Sequence, residues 1–311
     1  MHPAFSIIFF TSMSGAGFGA MAVAALLTRY IGNTGTTVTL VLGFILAGVG
    51  LLGSVAHLKS PMRARFALSQ WRTSWLSREG VLSILTMGLA ALIILRLFTV
   101  GHGDGSFDLW RALGVVMVLL AAGTIASTGM IYQSIAAVPD WSRQPTSLMF
   151  LLFAATSGGL IGLASAGQAG NMAYGVALFF LFTLWYFKIT VWSRTDKAEP
   201  IATVGSATGL GPAVGGEVRQ FERPHVTENW LTTEMGFRVG RRHAMKLRIG
   251  AVALGGLLPA GLIALALAGI APHGVCWLAV ALHMAGVFME RWLFFAQAKH
   301  TVSLFYGAQS V

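Results

Sequence analysis

The polar stretch between residues 57 and 79 holds the side chains best suited to chemistry. It lies between two long apolar runs, with His57 closing the first run and Glu79 opening the second. An imidazole has an ordinary pKa of about 6.5 and exchanges protons at neutral pH, and a carboxylate is favoured at a helix N-terminus. Lys59 and Arg63 supply positive charge that can stabilise an anionic oxygen. At a membrane surface, this combination suits the head group and the protons of a quinol.

Three aromatic residues are candidates for contact with such a head group. Trp71 and Trp75 are four residues apart and are amphipathic, as residues at a membrane–water interface commonly are. Tyr132 lies near the end of a later apolar run, and its hydroxyl can donate a hydrogen bond to a quinone carbonyl. All of these residues, and the basic ones above, are also typical interface anchors. Spacing alone leaves both interpretations open.

A second polar group lies inside the last apolar run. His283, Glu290 and Gln297 recur every seven residues and therefore share one helix face. Ionisable groups inside a membrane are costly and usually face the interior of the bundle, and Arg291 is placed to neutralise Glu290. One interpretation is a proton relay of His283 and Glu290. The other is a buried polar network that fixes helix packing, and the sequence does not decide between them.

The composition indicates an integral membrane protein. The mean hydropathy is +0.72, and 10% of the 311 residues are charged, against about 25% in a typical soluble domain. Apolar stretches near 20 residues recur, and each can cross a hydrocarbon core of about 30 Å as a helix. We predict an all-α fold, a polytopic bundle of eight transmembrane helices in one membrane domain (1–311). The predicted spans are 5–27, 37–57, 80–100, 111–135, 147–166, 171–192, 248–270 and 274–298.

The distribution of charge predicts the orientation of the bundle. The net charge is +10, and the Lys and Arg residues cluster in loops next to apolar spans, which favours membrane topology over nucleic-acid binding. The positive-inside rule places loops 58–79, 136–146 and 193–247, and both termini, in the cytoplasm. The long loop 193–247 opens with a Gly/Ala-rich half (198–216) that we expect to be flexible. Its second half is either a disordered linker or a docking segment for a partner.

Metal and haem chemistry are disfavoured for this chain. Its one cysteine, Cys276, cannot hold an iron–sulfur cluster, which needs about four ligands. No second histidine is predicted at the membrane depth of His283, so a haem with two axial histidines is not favoured. We expect no haem or metal here. A proton-coupled secondary transporter that uses His283 and Glu290 is a rival class, although no internal repeat is evident.

Two segments carry a family resemblance. The run His57-Leu58-Lys59-Ser60-Pro61-Met62-Arg63-Ala64, followed by Leu76-Ser77-Arg78-Glu79, resembles the membrane-anchor subunits of the dimethyl sulfoxide reductase family. Tyr132-Gln133-Ser134-Ile135, with Val138 and Trp141 after it, is similar to the same family, and eight spans agree with it.

The resemblance implies a partnership. In that family, a molybdopterin catalytic subunit passes electrons through an iron–sulfur subunit to an anchor that exchanges them with ubiquinone or menaquinone, and the anchor carries no haem or metal. The histidine and glutamate that match His57 and Glu79 are implicated there in quinol binding and proton exchange. Lys59 stands where the family pattern has glycine.

Two further segments, 227–237 and 290–295, are most similar to the sulfite dehydrogenase type of anchor. This resemblance implies a chain that is not itself catalytic, in a bacterial inner membrane, passing electrons from cytoplasmic sulfite oxidation to the quinone pool. The alternative within the family is the anchor of an S-oxide reductase, which oxidises quinol.

Overall fold

The computed structural model describes residues 4–56, 66, 68–102, 109–167, 169–210, 218–222, 227 and 239–311. Within these ranges, eight helices are long and apolar enough to cross a membrane, and no β-strand is present in them. The predicted all-α fold with eight spans is therefore confirmed. We number the helices α1 Phe5–Leu26, α2 Thr28–Ala56, α3 Trp75–Thr99, α4 Leu109–Gln133, α5 Thr146–Ser165, α6 Asn171–Lys197, α7 Ala244–Leu267 and α8 Val275–Ala296.

Three helices extend well beyond the predicted spans. Helix α2 begins at Thr28, whereas the prediction was 37, and a break at Gly32 (φ 71°) separates its first turn from the rest. Helix α6 continues to Lys197, past the predicted end at 192. Helix α7 begins at Ala244, before the predicted start at 248. In each case polar residues continue the helix past the apolar run, so hydropathy alone underestimates its length.

The start of α3 corrects a prediction about the candidate site. Ser74 has an extended backbone and caps the helix, its hydroxyl accepting a hydrogen bond from the Ser77 N–H at 3.4 Å. A serine in this position satisfies a donor that the first helical turn leaves unpaired. The predicted start of this span at residue 80 is therefore too late, because Ser77 and Glu79 both lie inside α3.

Helices α1 and α5 form the centre of the bundle. In each, 67% of the most apolar 18-residue window is buried, against 17% in α3. Their backbones touch at Gly19 and Gly158, since a Cβ atom on Gly158 would lie 2.5 Å from the Ala20 nitrogen and overlap the Gly19 carbonyl. Gly19 packs closely, whereas Gly15 has no atom within 4 Å of an added Cβ.

Helices α6, α7 and α8 meet at one irregular turn. Helix α7 is α-helical on both sides of a π turn at Ala253–Leu257. Pro259 has no N–H for the carbonyl four residues before it, that of Gly255, so the regular helical bond to this carbonyl is lost. Gly286 of α8 packs against the turn, because a Cβ there would lie 2.8 Å from the Ala251 carbonyl oxygen. The freed carbonyl is used by the candidate site.

The longer connections lie together at one end of the bundle, which we call the loop face. It comprises the connections that follow α2, α4 and α6 and the chain after α8. Direct hydrogen bonds join these segments: Thr301 N–H to Ala137 O (2.9 Å), Lys299 N–H to Asp140 Oδ2 (3.1 Å), Arg143 Nη1 to Glu199 O (3.0 Å) and Ile201 N–H to Val311 O (2.7 Å).

One part of the predicted flexible half-loop is helical at this end. Residues 203–208 form a capped helical turn, Val204–Thr208 with Thr203 as its cap. Val204 packs with Leu304 and Val311 in a small apolar cluster. Residues 201–204 therefore pair with the C-terminal segment through backbone hydrogen bonds to Gln309 and Val311, and the flexibility of the half-loop stays a prediction. The rest of that half, 211–216, lies outside the described residues.

Candidate functional site

Glu79 is buried inside α3, one turn from the loop face. It is 4% exposed, and the Thr128 hydroxyl of α4 donates a hydrogen bond to its Oε1. Deeper in the same helix pair, Thr86 of α3 and Thr124 of α4 lie 3.4 Å apart through their hydroxyl oxygens. A carboxyl buried among apolar helices needs such a partner. The pair α3–α4 therefore presents one protonatable group near the loop face.

Tyr132 lies one helical turn after Thr128 and forms the centre of an aromatic cluster. Its ring stacks on Phe150 and meets the edges of Trp141, Phe294 and Phe295, with ring centroids 5.3–5.8 Å apart. The Trp141 Nε1–H donates to the Phe294 carbonyl oxygen at 3.0 Å, which fixes the cluster to α8. Glu79 and Arg291 both lie close enough to the Tyr132 phenol to interact with it electrostatically.

A cluster of three charged side chains lies on the other side of these rings. Lys188 of α6 forms a salt bridge with Glu290 of α8, and the exposed fractions of the two side chains are 6% and 0%. Arg291 Nη1 lies 3.5 Å from Glu290 Oε2. The guanidinium also lies over the faces of Phe150 and Phe153, 3.8 and 4.7 Å from the ring centroids. Two cations therefore share one carboxylate, within a cluster that carries one net positive charge.

The charged cluster forms the floor of a pocket that opens at the loop face. The pocket has a volume of about 490 Å³ and reaches from Arg242, Arg248 and Lys299 at its rim down to Lys188 and Arg291. At the rim, Arg248 binds Asp196 through two hydrogen bonds of 2.5 and 3.0 Å. A polar space of this size holds on the order of ten waters. We call it the loop-face pocket.

Comparisons with known proteins identify the family. A sequence profile described as DMSO reductase anchor subunit (DmsC) matches residues 1–307. The chain belongs to the DmsC anchor family. It is 31% identical over 335 aligned residues to a sulfite dehydrogenase subunit of Allochromatium vinosum, an alignment covering 98% of this chain and 99% of that protein. No solved structure matches.

Membership of the DmsC anchor family confirms the resemblance drawn from residues 57–64 and 132–141. It also favours an anchor subunit over the rival transporter class, because the match covers almost the whole chain. Anchors of this family belong to molybdoenzymes, so the cofactors of such a complex are expected in its other subunits. Among the described residues, no three His, Cys, Asp or Glu side chains are grouped as a metal site would require.

Three of the predicted site residues of this DmsC-family chain, His57, Lys59 and Arg63, lie outside the described residues. The chain is described again at Phe66 and from Leu68 onwards. Leu68 packs on α3 beside Glu79, since a Cβ atom on Gly80 would lie 2.8 Å from Leu68 Cδ2. The described part of this connection therefore contacts the first turns of α3.

Trp71 and Trp75 lie at the loop face, where the sequence places interface anchors. Trp71 is 54% exposed. Arg78 holds the turn between them, its guanidinium donating to the Trp71 and Arg72 carbonyls at 3.0 and 2.7 Å while it lies 4.2 Å from the Trp75 ring centroid. Their predicted contact with a quinone stays a prediction.

The two predicted relay residues have separate partners. His283 lies against the π turn, with Nδ1 2.7 Å from the Gly255 carbonyl oxygen that Pro259 leaves free. Its Nε2 lies 3.0 Å from the Ser157 hydroxyl of α5. Since a carbonyl only accepts, Nδ1 carries the proton and Nε2 accepts from Ser157. His283 thus ties α5, α7 and α8 together, whereas Glu290 belongs to the charged cluster two turns away.

The sequence analysis missed Lys188 and Thr128. Lys188 is a lone lysine inside the predicted span 171–192, and an isolated charge at that depth predicts an opposite charge on another span. Glu290 was the available partner, so this signal was present in the sequence. Thr128 carries no such signal, because threonines that bond their own helix backbone are common in membrane spans.

Proposed function

We propose that this chain is the membrane anchor and quinone-reactive subunit of a molybdopterin and iron–sulfur oxidoreductase of the sulfite dehydrogenase type. Electrons from sulfite oxidation in the cytoplasm would pass through an iron–sulfur partner to ubiquinone or menaquinone at the loop face. The name of the relative from Allochromatium vinosum supports the sulfite assignment. The loop face is then the cytoplasmic side of a bacterial inner membrane, as the positive-inside rule predicts, with both termini on that side.

The single observation that carries the quinone assignment is the buried Glu79. It combines 4% exposure with a hydroxyl partner on α4 and a place one turn from the loop face. Burial of a carboxyl costs free energy, and a carboxyl with only a structural role avoids this cost by lying in water. A buried carboxyl near the membrane surface is therefore more typical of a proton-exchange site. The residues here fit a quinone head group, which needs a proton donor and flat apolar surfaces. Glu79 supplies the first, and the rings around Tyr132 supply the second.

Each predicted residue has a role in this proposal. Glu79, with His57 from the preceding connection, exchanges protons with the quinone oxygens. Lys59 and Arg63 balance the negative charge of the reduced ring. Tyr132, at the centre of the aromatic cluster, can orient the head group. Trp71 and Trp75 hold the neighbouring chain at the membrane surface.

The test separates quinone chemistry from the chemistry of the partners. In the purified complex, Glu79→Gln keeps the side-chain shape but removes the ionisable group. We expect sulfite-dependent reduction of decylubiquinone to fall by roughly 100-fold, the usual size of an acid–base contribution. Sulfite oxidation with ferricyanide as acceptor should stay unchanged. The same pattern is expected for His57→Ala.

Thr86→Val is the matched control. It also removes one buried hydroxyl from α3, one that bonds Thr124 and not Glu79, and should leave both activities near the native level. Equal loss of quinone and ferricyanide activity in Glu79→Gln would contradict the assignment. The alternative, an S-oxide reductase anchor, predicts instead quinol-dependent reduction of dimethyl sulfoxide by the same complex and no sulfite activity.

A further inference from the structure

A second and much smaller cavity lies on the inner side of Arg291. Its volume is about 10 Å³, which is room for a single water. Hydroxyl groups of Ser12, Thr128 and Ser157 line it together with Arg291. Arg291 and Phe150 line both this cavity and the loop-face pocket. These two side chains therefore form a common wall between the two spaces.

Polar atoms at this wall lack partners within the described part of the chain. Ser12 Oγ and Arg291 Nε are buried and make no hydrogen bond there, and the two residues are 3% and 2% exposed. Buried polar atoms in native proteins are almost always satisfied, by ordered water where no protein group is available. We infer that the small cavity binds one water, held by these two groups and by the neighbouring hydroxyls.

This water lies between the pocket and the candidate site. Thr128 lines the small cavity and donates to Glu79. On the other side of the wall, Arg291 contacts Glu290, and Glu290 contacts Lys188 on the floor of the pocket. Polar groups therefore lie on both sides of the wall that Arg291 and Phe150 form, between the loop-face pocket and Glu79.

We propose that the loop-face pocket supplies the protons that Glu79 delivers, through water on the pocket floor, the water beside Arg291, and Thr128. The proposal rests on the proposed quinone function and adds the source of the protons. Glu290 lies beside this route as the counter-charge of Arg291, and is not a proton carrier in a relay with His283. His283 has a carbonyl and a hydroxyl on its two nitrogens and lies outside this route.

The proton balance of the route is simple. Reduction of one quinone to quinol takes two electrons, which oxidise the iron–sulfur partner, and two protons. A proton leaves the Glu79 carboxyl for a quinone oxygen, and a proton from water in the pocket replaces it. Arg291 keeps its proton throughout, so the transfer passes over the water beside it. The carboxylate of Glu290 offsets the repulsion between the guanidinium and a passing proton.

The first test removes the counter-charge of Arg291 without changing the net charge of the cluster. The double variant Lys188→Met, Glu290→Leu keeps one positive charge there, that of Arg291, and is close to native volume. At saturating decylubiquinone we expect turnover to fall by roughly 10- to 100-fold, with KM for the quinone unchanged and a larger solvent deuterium isotope effect. Ferricyanide-linked sulfite oxidation should stay at the native level. A pair with a purely structural role predicts native turnover in this variant.

The second test needs no change in the interior. Thr195 lines the loop-face pocket, and Thr195→Cys supplies a thiol for a cationic methanethiosulfonate reagent. Labelling should slow quinone reduction and spare ferricyanide activity in the same folded sample, since it fills the pocket and adds a positive charge. The complex with the native chain is the control, because its only anchor cysteine, Cys276, is buried.

The two proposals fail in different ways. Native quinone turnover in Glu79→Gln would overturn the quinone function and the route with it. Loss of turnover in Glu79→Gln, together with native turnover in both the double variant and the labelled Thr195→Cys complex, would overturn the route alone. Restoration of turnover in the double variant by formate, a small proton carrier that the pocket can admit, would support it.

Discussion

The salt bridge between Lys188 and Glu290 allows a quantitative prediction about stability. Both side chains are almost fully buried, and removal of one member of a buried pair typically costs about 3–5 kcal/mol, because the other charge is left uncompensated. Replacement of both members by apolar residues is often close to neutral. We therefore expect the costs of Lys188→Met and Glu290→Leu to be far from additive when the two changes are combined.

The two single variants should differ, because Arg291 shares the carboxylate. In Lys188→Met, Glu290 keeps Arg291 at 3.5 Å, so the cost should lie near the lower limit, about 3 kcal/mol. In Glu290→Leu, two buried cations lose their counter-charge, and the cost should reach about 5 kcal/mol or more. In the double variant, Arg291 loses its carboxylate but still lies over the Phe150 face at 3.8 Å, and the cost should be about 3 kcal/mol, well below the sum of the two single costs.

The assay heats the complex in mild detergent and measures, by size-exclusion chromatography, how much of it stays monodisperse. The midpoint is the temperature at which half of the monodisperse complex is lost. The expected order of midpoints is native highest, Lys188→Met and the double variant lower, and Glu290→Leu lowest. A double variant whose loss equals the sum of the two single losses would refute the reasoning, because independent residues add in this way and a coupled pair does not.

Three further predictions follow from single contacts. Gly158→Ala should destabilise the bundle by about 1–3 kcal/mol, because the methyl group meets the α1 backbone; the thermal midpoint of the complex measures this. His283→Leu should cost about 1–3 kcal/mol by breaking two buried hydrogen bonds, while quinone turnover per folded complex stays native. Arg78→Lys should speed amide hydrogen exchange in residues 71–76, because lysine cannot hold two carbonyls and a ring together.

Each of these predictions has a control. Gly159→Ala places the same methyl group where no atom lies within 4 Å and should be neutral; equal losses at 158 and 159 would contradict the packing argument. A fall of quinone turnover in a folded His283→Leu complex would show that His283 takes part in proton transfer. Arg72→Lys changes an exposed residue of the same turn, and if it speeds exchange as much as Arg78→Lys, the Arg78 contacts are not what holds the turn.

The fold could be predicted to the level of eight helices, because an apolar run of about 20 residues is a local property of the sequence. The exact ends of the helices could not be predicted in this way. Trp75 to Glu79 is mixed in polarity, and the cap at Ser74 starts α3 before the apolar run begins. Such an error matters here, because it moves Glu79 from the membrane surface to a buried position in the helix.

The candidate site could be predicted in part, because some of its features follow from the local sequence. The burial of Glu290 and His283 follows from the cost of polar groups in lipid, and both are fully buried. Their partners depend on which helices are neighbours, which is tertiary information. Lys188 and Glu290 are 102 residues apart in sequence, and the Gly255 carbonyl becomes available only because of Pro259 and the π turn.

The position of the loop-face pocket has a consequence for energy conservation. If electrons from the iron–sulfur partner and protons from the pocket both reach the quinone from the loop face, no net charge crosses the membrane. Oxidation of one sulfite to sulfate at that face releases two protons and two electrons, and reduction of one quinone consumes the same number of each. In liposomes, sulfite-dependent quinone reduction should therefore produce no membrane potential and no pH change on the side opposite the loop face. A potential recorded with a voltage-sensitive dye would mean that the protons come from the opposite face, and the pocket could not then be their source.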